Sequence, residues 1–125
     1  MNKREFLKAS GASLIAAVAV ATPAVAAALP RRRIAIIQSG LPGADAFAAR
    51  ERAAGARIMA PVGDPVRWYR DTLAPALQGA EVTGFTDPIQ MMVMEGSLRE
   101  SGYVRASAPV RTGRATAWSA VPRSA

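Results

Sequence analysis

The sequence has 125 residues, half of them hydrophobic, and carries sixteen basic against nine acidic side chains for a net charge of +7. It contains no cysteine and no histidine. That excludes disulfides, thiolate nucleophiles, Cys or His metal sites, haem attachment, iron–sulfur ligation and the commonest general base, and with them any Ser-His-Asp or Cys-His set.

The N-terminal segment describes a destination rather than a fold. Lys3, Arg4 and Lys8 make a short positive head, residues 9–29 carry no charge, and the run closes on Ala24, Ala26 and Ala28. Basic head, apolar run and small residues are the layout of a cleavable export signal. The head Asn2-Lys3-Arg4-Glu5-Phe6-Leu7-Lys8 resembles the twin-arginine export signal. Arg4, Phe6, Leu7 and Lys8 fall where that pattern has them. Lys3 replaces the first arginine, keeping the charge without the planar fork of donors. Cleavage after Ala26 or Ala28 gives a signal over 1–28 and one small domain over 29–125, about a hundred residues, enough to bury a modest core. Two other readings compete. One is an uncleaved anchor, since about 20 apolar residues can span a bilayer. The other is a soluble N-terminal helix, against which Pro23 and the missing polar face count. The resemblance implies export in the folded state, the route of cofactor-loaded redox proteins and of small subunits carried with them. It therefore implies a periplasmic or otherwise exported location, with the export machinery and a larger exported subunit as partners.

The mature region keeps thirteen arginines against eight acids. They are spread along the chain rather than clustered among aromatics, so nucleic-acid binding is not expected. Arg31-Arg32-Arg33 either meets acidic lipid headgroups or an acidic partner, or is a solvated junction.

Residues 34–38 are apolar and β-branched and predict a buried strand. Residues 39–43 are a turn cluster, and a helix over 44–54 follows, ended by Gly55. Residues 56–62 predict the second strand, which completes a βαβ unit. Asp64-Pro65 is a helix start, with Asp at the N-cap and Pro at the first helical position. That helix spans 65–77, with Val66, Tyr69, Leu73 and Leu77 on one face. Pro75 kinks or ends it. Trp68 lies off that face, either exposed on a binding surface or folded over the helix edge.

Residues 81–86 predict the third strand. Asp87-Pro88 repeats the helix start for a helix over 88–101. On it Ile89, Met92 and Val93 fit a core stripe, while Met91, Met94 and Leu98 make a second apolar side. Such a helix is either deeply buried or faces a partner, and Met suits adaptable interfaces. Residues 103–108 predict a fourth strand. Residues 111–114 turn the chain back, and 115–121 are a fifth, antiparallel strand or a loose tail.

The alternation predicts a small α/β domain. Its mainly parallel sheet has four strands, or five, with helices on both faces. It resembles a truncated flavodoxin-like or Rossmann-like domain, and the mature region resembles short exported bacterial proteins to which no activity is attached. In such sheets ligands bind beyond the carboxyl ends of the strands. Ser39, Gly40, Gly43, Asp64, Thr86 and Asp87 form that edge, leading into helix N-termini that favour an anion. The loop at 39–45 matches neither the dinucleotide fingerprint nor the P-loop. Asp64 and Asp87 are either a carboxylate pair at this edge or simply the caps of their own helices. No catalytic residue, metal ligand or cofactor is assigned. The leading expectation is a non-catalytic accessory or binding subunit of an exported enzyme, a redox enzyme being the kind the signal implies. Trp68, Met91, Met94 and Leu98 are its expected partner surface. The alternative is a small-molecule or anion binder using the strand-end loops.

Overall fold

A computed structural model describes residues 32–123. The export segment 1–28 with Lys3, Arg4, Phe6, Leu7 and Lys8, the alternative anchor over 9–29, and Arg31 lie outside the described residues. Among the described residues no helix is long and apolar enough to cross a membrane.

The chain runs β1 (Arg33–Ile37), α1 (Ala44–Ala53), β2 (Arg57–Met59), α2 (Pro65–Trp68), a π-helical turn (Tyr69–Leu73), α3 (Ala74–Leu77), β3 (Glu81–Thr86), α4 (Pro88–Glu100), β4 (Tyr103–Arg105), β5 (Val110–Thr112) and β6 (Ala115–Pro122). The sheet order is β2-β1-β3-β6-β4, with β5 also on β6. β2 and β3 run parallel to β1, while β3, β4 and β5 all run antiparallel to β6.

The sheet is thus mixed and six-stranded, not mainly parallel with four or five strands. The cause is the connection after β4. A parallel crossover needs a dozen or more residues, and only nine separate Arg105 from Ala115. Two of them, Gly113 and Arg114, make a tight hairpin turn in which Gly113 sits at φ 61°. Glycine at the first central position is what a type II′ hairpin requires. The returning strand pairs on both edges, with β3 on one side and with β4 and β5 end to end on the other. Arg105 faces Ala120 and Val110 faces Ala117, so the four residues 106–109 bulge opposite two of β6.

Alternate residues of each strand point to opposite faces. On one face Ile34, Ile36, Val82, Trp118 and Ala120 pack with Trp68, Tyr69, Leu73, Leu77, Met94 and Leu98. On the other, Ala35, Ile37, Phe85 and Ala115 pack with Ala44 and Phe47 of α1. Helices therefore cover both faces, with α2, the π turn, α3 and α4 on one and α1 alone on the other. Gly84 lies opposite Trp118, and a Cβ there would overlap the indole ring. The ring needs this bare stretch of backbone to lie flat on the sheet.

Trp68 belongs to the core at 6 % exposure rather than to a binding surface, and of the expected face Tyr69, Leu73 and Leu77 are buried while Val66 alone turns out, at 49 %. The π turn explains this. Pro75 has no N–H to donate into the turn before it, and the Ala74 N–H donates to Tyr69 O, five residues back. With i→i+5 bonding, residues five apart stack. Trp68 comes above Leu73, Leu77 follows four residues on, and Val66 rotates out.

The two sides of α4 are exchanged as well. Met94 and Leu98 are fully buried and Met91 packs half-buried against them. Ile89 and Met92 are 74 % and 67 % exposed. Both stripes satisfy the helical period. The cap at Asp87, tied to the end of β1 through Gln38, sets the roll that turns one of them inward.

Candidate functional site

Both Asp-Pro pairs cap their helices. The Asp64 carboxylate accepts from Val66 N at 2.9 Å and Asp87 from Gln90 N at 2.7 Å. Asp87 is tied further. It accepts from Gln38 Nε2 at 3.0 Å, and its own N–H donates to Gln38 Oε1 at 2.9 Å. The Thr86 hydroxyl, completely buried, donates to Asp87 O and accepts from the Trp118 indole N–H at 3.1 Å. Gln38, Asp87, Thr86 and Trp118 therefore form one continuous chain of hydrogen bonds. Ser39, Gly40 and Gly43 lie in the neighbouring turn, where Gly43 precedes α1 at φ 90° with no side-chain cap. Asp64 stays with its own helix. Among the described residues no group of three or more metal-ligating side chains comes together. The structure brings Thr86 and Asp87 together at the strand edge, but their polar atoms are already bonded.

The basic run at the start of β1 is also internally engaged. Arg32 donates to the carbonyls of Ala76, Leu77 and Gln78, the open C-terminal end of α3, where a cation complements the helix dipole. Arg33 forms a fork on Glu51, at 2.9 and 3.3 Å, and reaches Glu81 at 3.4 Å. The Glu51 hydrogen bond, outweighing desolvation, holds the Arg33 guanidinium above its ordinary pKa. Glu51 takes a further bond from Thr83, beside a shallow hollow of about 170 Å³ between α1 and the β5–β6 hairpin.

A second, larger hollow of about 320 Å³ lies between α4 and the edge strand β4. It is lined by Glu95, Leu98, Arg99, Tyr103, Val104, Arg105, Ala120 and Arg123. Its floor is apolar: Leu98, Tyr103 and Ala120 are all at 4 % exposure or less. The Tyr103 hydroxyl bonds Ala80 O at 2.6 Å, so that residue contributes its ring. On the wall Arg105 grips Glu95 with two parallel bonds of 2.8 and 2.7 Å. That hydrogen bonding, and then the Glu95 charge, raises the pKa of Arg105 above its ordinary value. Arg123 is held at the rim by its backbone N–H on Gly102 O at 2.7 Å. Arg99 and Arg123 make no side-chain hydrogen bond or ion pair among the described residues.

Comparison with protein-family models, curated proteins and solved structures finds no match for the chain.

Of the expected partner surface, Trp68, Met94 and Leu98 are core and only Met91 reaches the surface in part. Motif and periodicity single out none of Glu95, Arg99, Arg105 and Arg123. Glu95 and Arg99, four apart on a helix, read as an ordinary surface pair. The signal that could have exposed the site is the arginine two residues into the strand that follows that helix, within reach of Glu95.

Proposed function

We propose that the chain is a non-catalytic accessory subunit acting outside the cytoplasmic membrane, docked on a larger exported protein. The single observation behind this reading is where its large apolar side chains are left bare. Four of the five, Val62, Val66, Ile89 and Met92, are 71, 49, 74 and 67 % exposed, the fifth being Val110 on β5. They flank the starts of α2 and α4, which pack against each other and follow β2 and β3 at one edge of the sheet. An exposed apolar patch with a polar rim is the mark of an interaction surface. Arg67 and Arg70 supply such a rim and form no ion pair among the described residues. The complementary partner surface is apolar at its centre and acidic around it. Support for export comes from the twin-arginine-type head. The order β2-β1-β3 matches the start of a flavodoxin-like sheet, and the antiparallel β6 departs from it.

The test is purification from the native host through a C-terminal tag, comparing wild type with the double variant Ile89→Lys, Met92→Glu. The reading expects a stoichiometric larger subunit with wild type and its loss with the variant, while circular dichroism and thermal unfolding stay unchanged. A wild-type chain that purifies alone, or a partner that the variant retains, overturns it.

A further inference from the structure

We infer that the hollow between α4 and β4 is a binding site for a small organic acid: a carboxylate on a compact apolar body. Three guanidinium groups meet there against one carboxylate. The Glu95–Arg105 pair neutralises itself and stiffens the wall. Arg99 and Arg123 remain as two positive forks with donors to spare. Guanidinium geometry matches a carboxylate, two donors to two oxygens. The floor of Leu98, Tyr103, Val104 and Ala120 asks for an apolar partner, because a polar group seated on it would find no side-chain hydrogen-bond partner there. At about 320 Å³ the hollow is at the small end of ligand sites, which run from about 300 to 1,000 Å³. One ring or a short branched chain fills it. An inorganic anion would engage the same arginines but leave the floor wet.

This site is separate from the apolar patch around Ile89 and Met92, and neither proposal depends on the other. It also differs from the Thr86–Asp87 edge, whose polar side chains are bonded within the fold, in having guanidinium donors that the fold has not consumed.

The test is calorimetric titration of the processed chain with benzoate, 3-phenylpropanoate, inorganic phosphate and benzyl alcohol. One or both acids should bind saturably, with phosphate and benzyl alcohol weaker by roughly tenfold or more, the scale of losing a charge-assisted hydrogen bond or the apolar contact. Arg99→Gln and Arg123→Gln should each weaken acid binding by roughly tenfold, and Arg57→Gln, an exposed arginine on the far edge strand, should leave it unchanged. Acid binding that survives both pocket substitutions overturns the location. Phosphate binding as tightly as the acids overturns the ligand class. No saturable binding by either acid overturns the site.

Discussion

Two rims of this small sheet carry polar side chains in opposite states. At the carboxyl ends of β1 and β3, Gln38, Asp87, Thr86 and Trp118 are linked in a chain of hydrogen bonds that fastens α4 to the sheet. Beside β4, Arg99 and Arg123 stand over a buried apolar floor with their donors unused. The first rim has the residue types of a ligand site and uses them to hold itself together. The rim beside β4 carries no motif, yet its binding capacity is left over. A binding site is recognised by the polar groups the fold has not consumed, more than by the residue types near a favoured sheet edge.

The sharpest way to break the contrast is to remove the anchor of the first rim. Trp118→Ala strips a ring that is 3 % exposed and unties Thr86. A loss of about 3–5 kcal/mol is expected, read from urea denaturation. A loss below about 1 kcal/mol would mean that the ring is not the keystone of that rim. Next in size is Asp87→Ala, which removes a cap and a cross-strand tie together. It should cost about 2 kcal/mol, against about 1 kcal/mol or less for Asp64→Ala, whose carboxylate only caps its own short helix. Equal losses would show that the Gln38 link contributes nothing. Smallest is the effect of Arg99→Gln and Arg123→Gln on folding. Both residues are exposed, so the urea midpoint should stay where it is. A clear fall would reassign those arginines to structural work.

The features legible in the sequence are those written locally. Asp64-Pro65 and Asp87-Pro88 cap where expected, because a cap needs only an acceptor and a backbone a few residues apart. The strands at 34–38, 81–86 and 103–108 and the helix over 44–54 are present to within a few residues. The strand over 115–121 and its antiparallel sense are present in β6, and its place in the sheet is what is harder to read. Its pairing of Val82 with Ala120 spans much of the domain, and no local pattern names the edge on which a strand will land. The burial of Trp68 turns on one π turn ahead of Pro75. The face of α4 is undecidable from periodicity, since apolar residues line two sides of it. The arginine hollow escapes a reading of the sequence because its walls come from a helix, an edge strand and the stretch beyond β6, which tertiary structure alone brings together.

β6 has a consequence for how the domain assembles. It follows every other described strand along the chain, yet it lies between β3 and β4 and is the sole sheet partner of β4 and β5. Before it docks, the nascent sheet is a three-stranded ribbon with β3 as an open edge, a template for pairing with the wrong chain. Closing that gap costs loop entropy for a distant contact. The docking of one strand therefore closes the β3 edge and gives β4 and β5 their sheet partner. A chain clipped within the bulge at 106–109 would not shrink to a smaller stable fold, because the fragment left behind keeps its exposed edge.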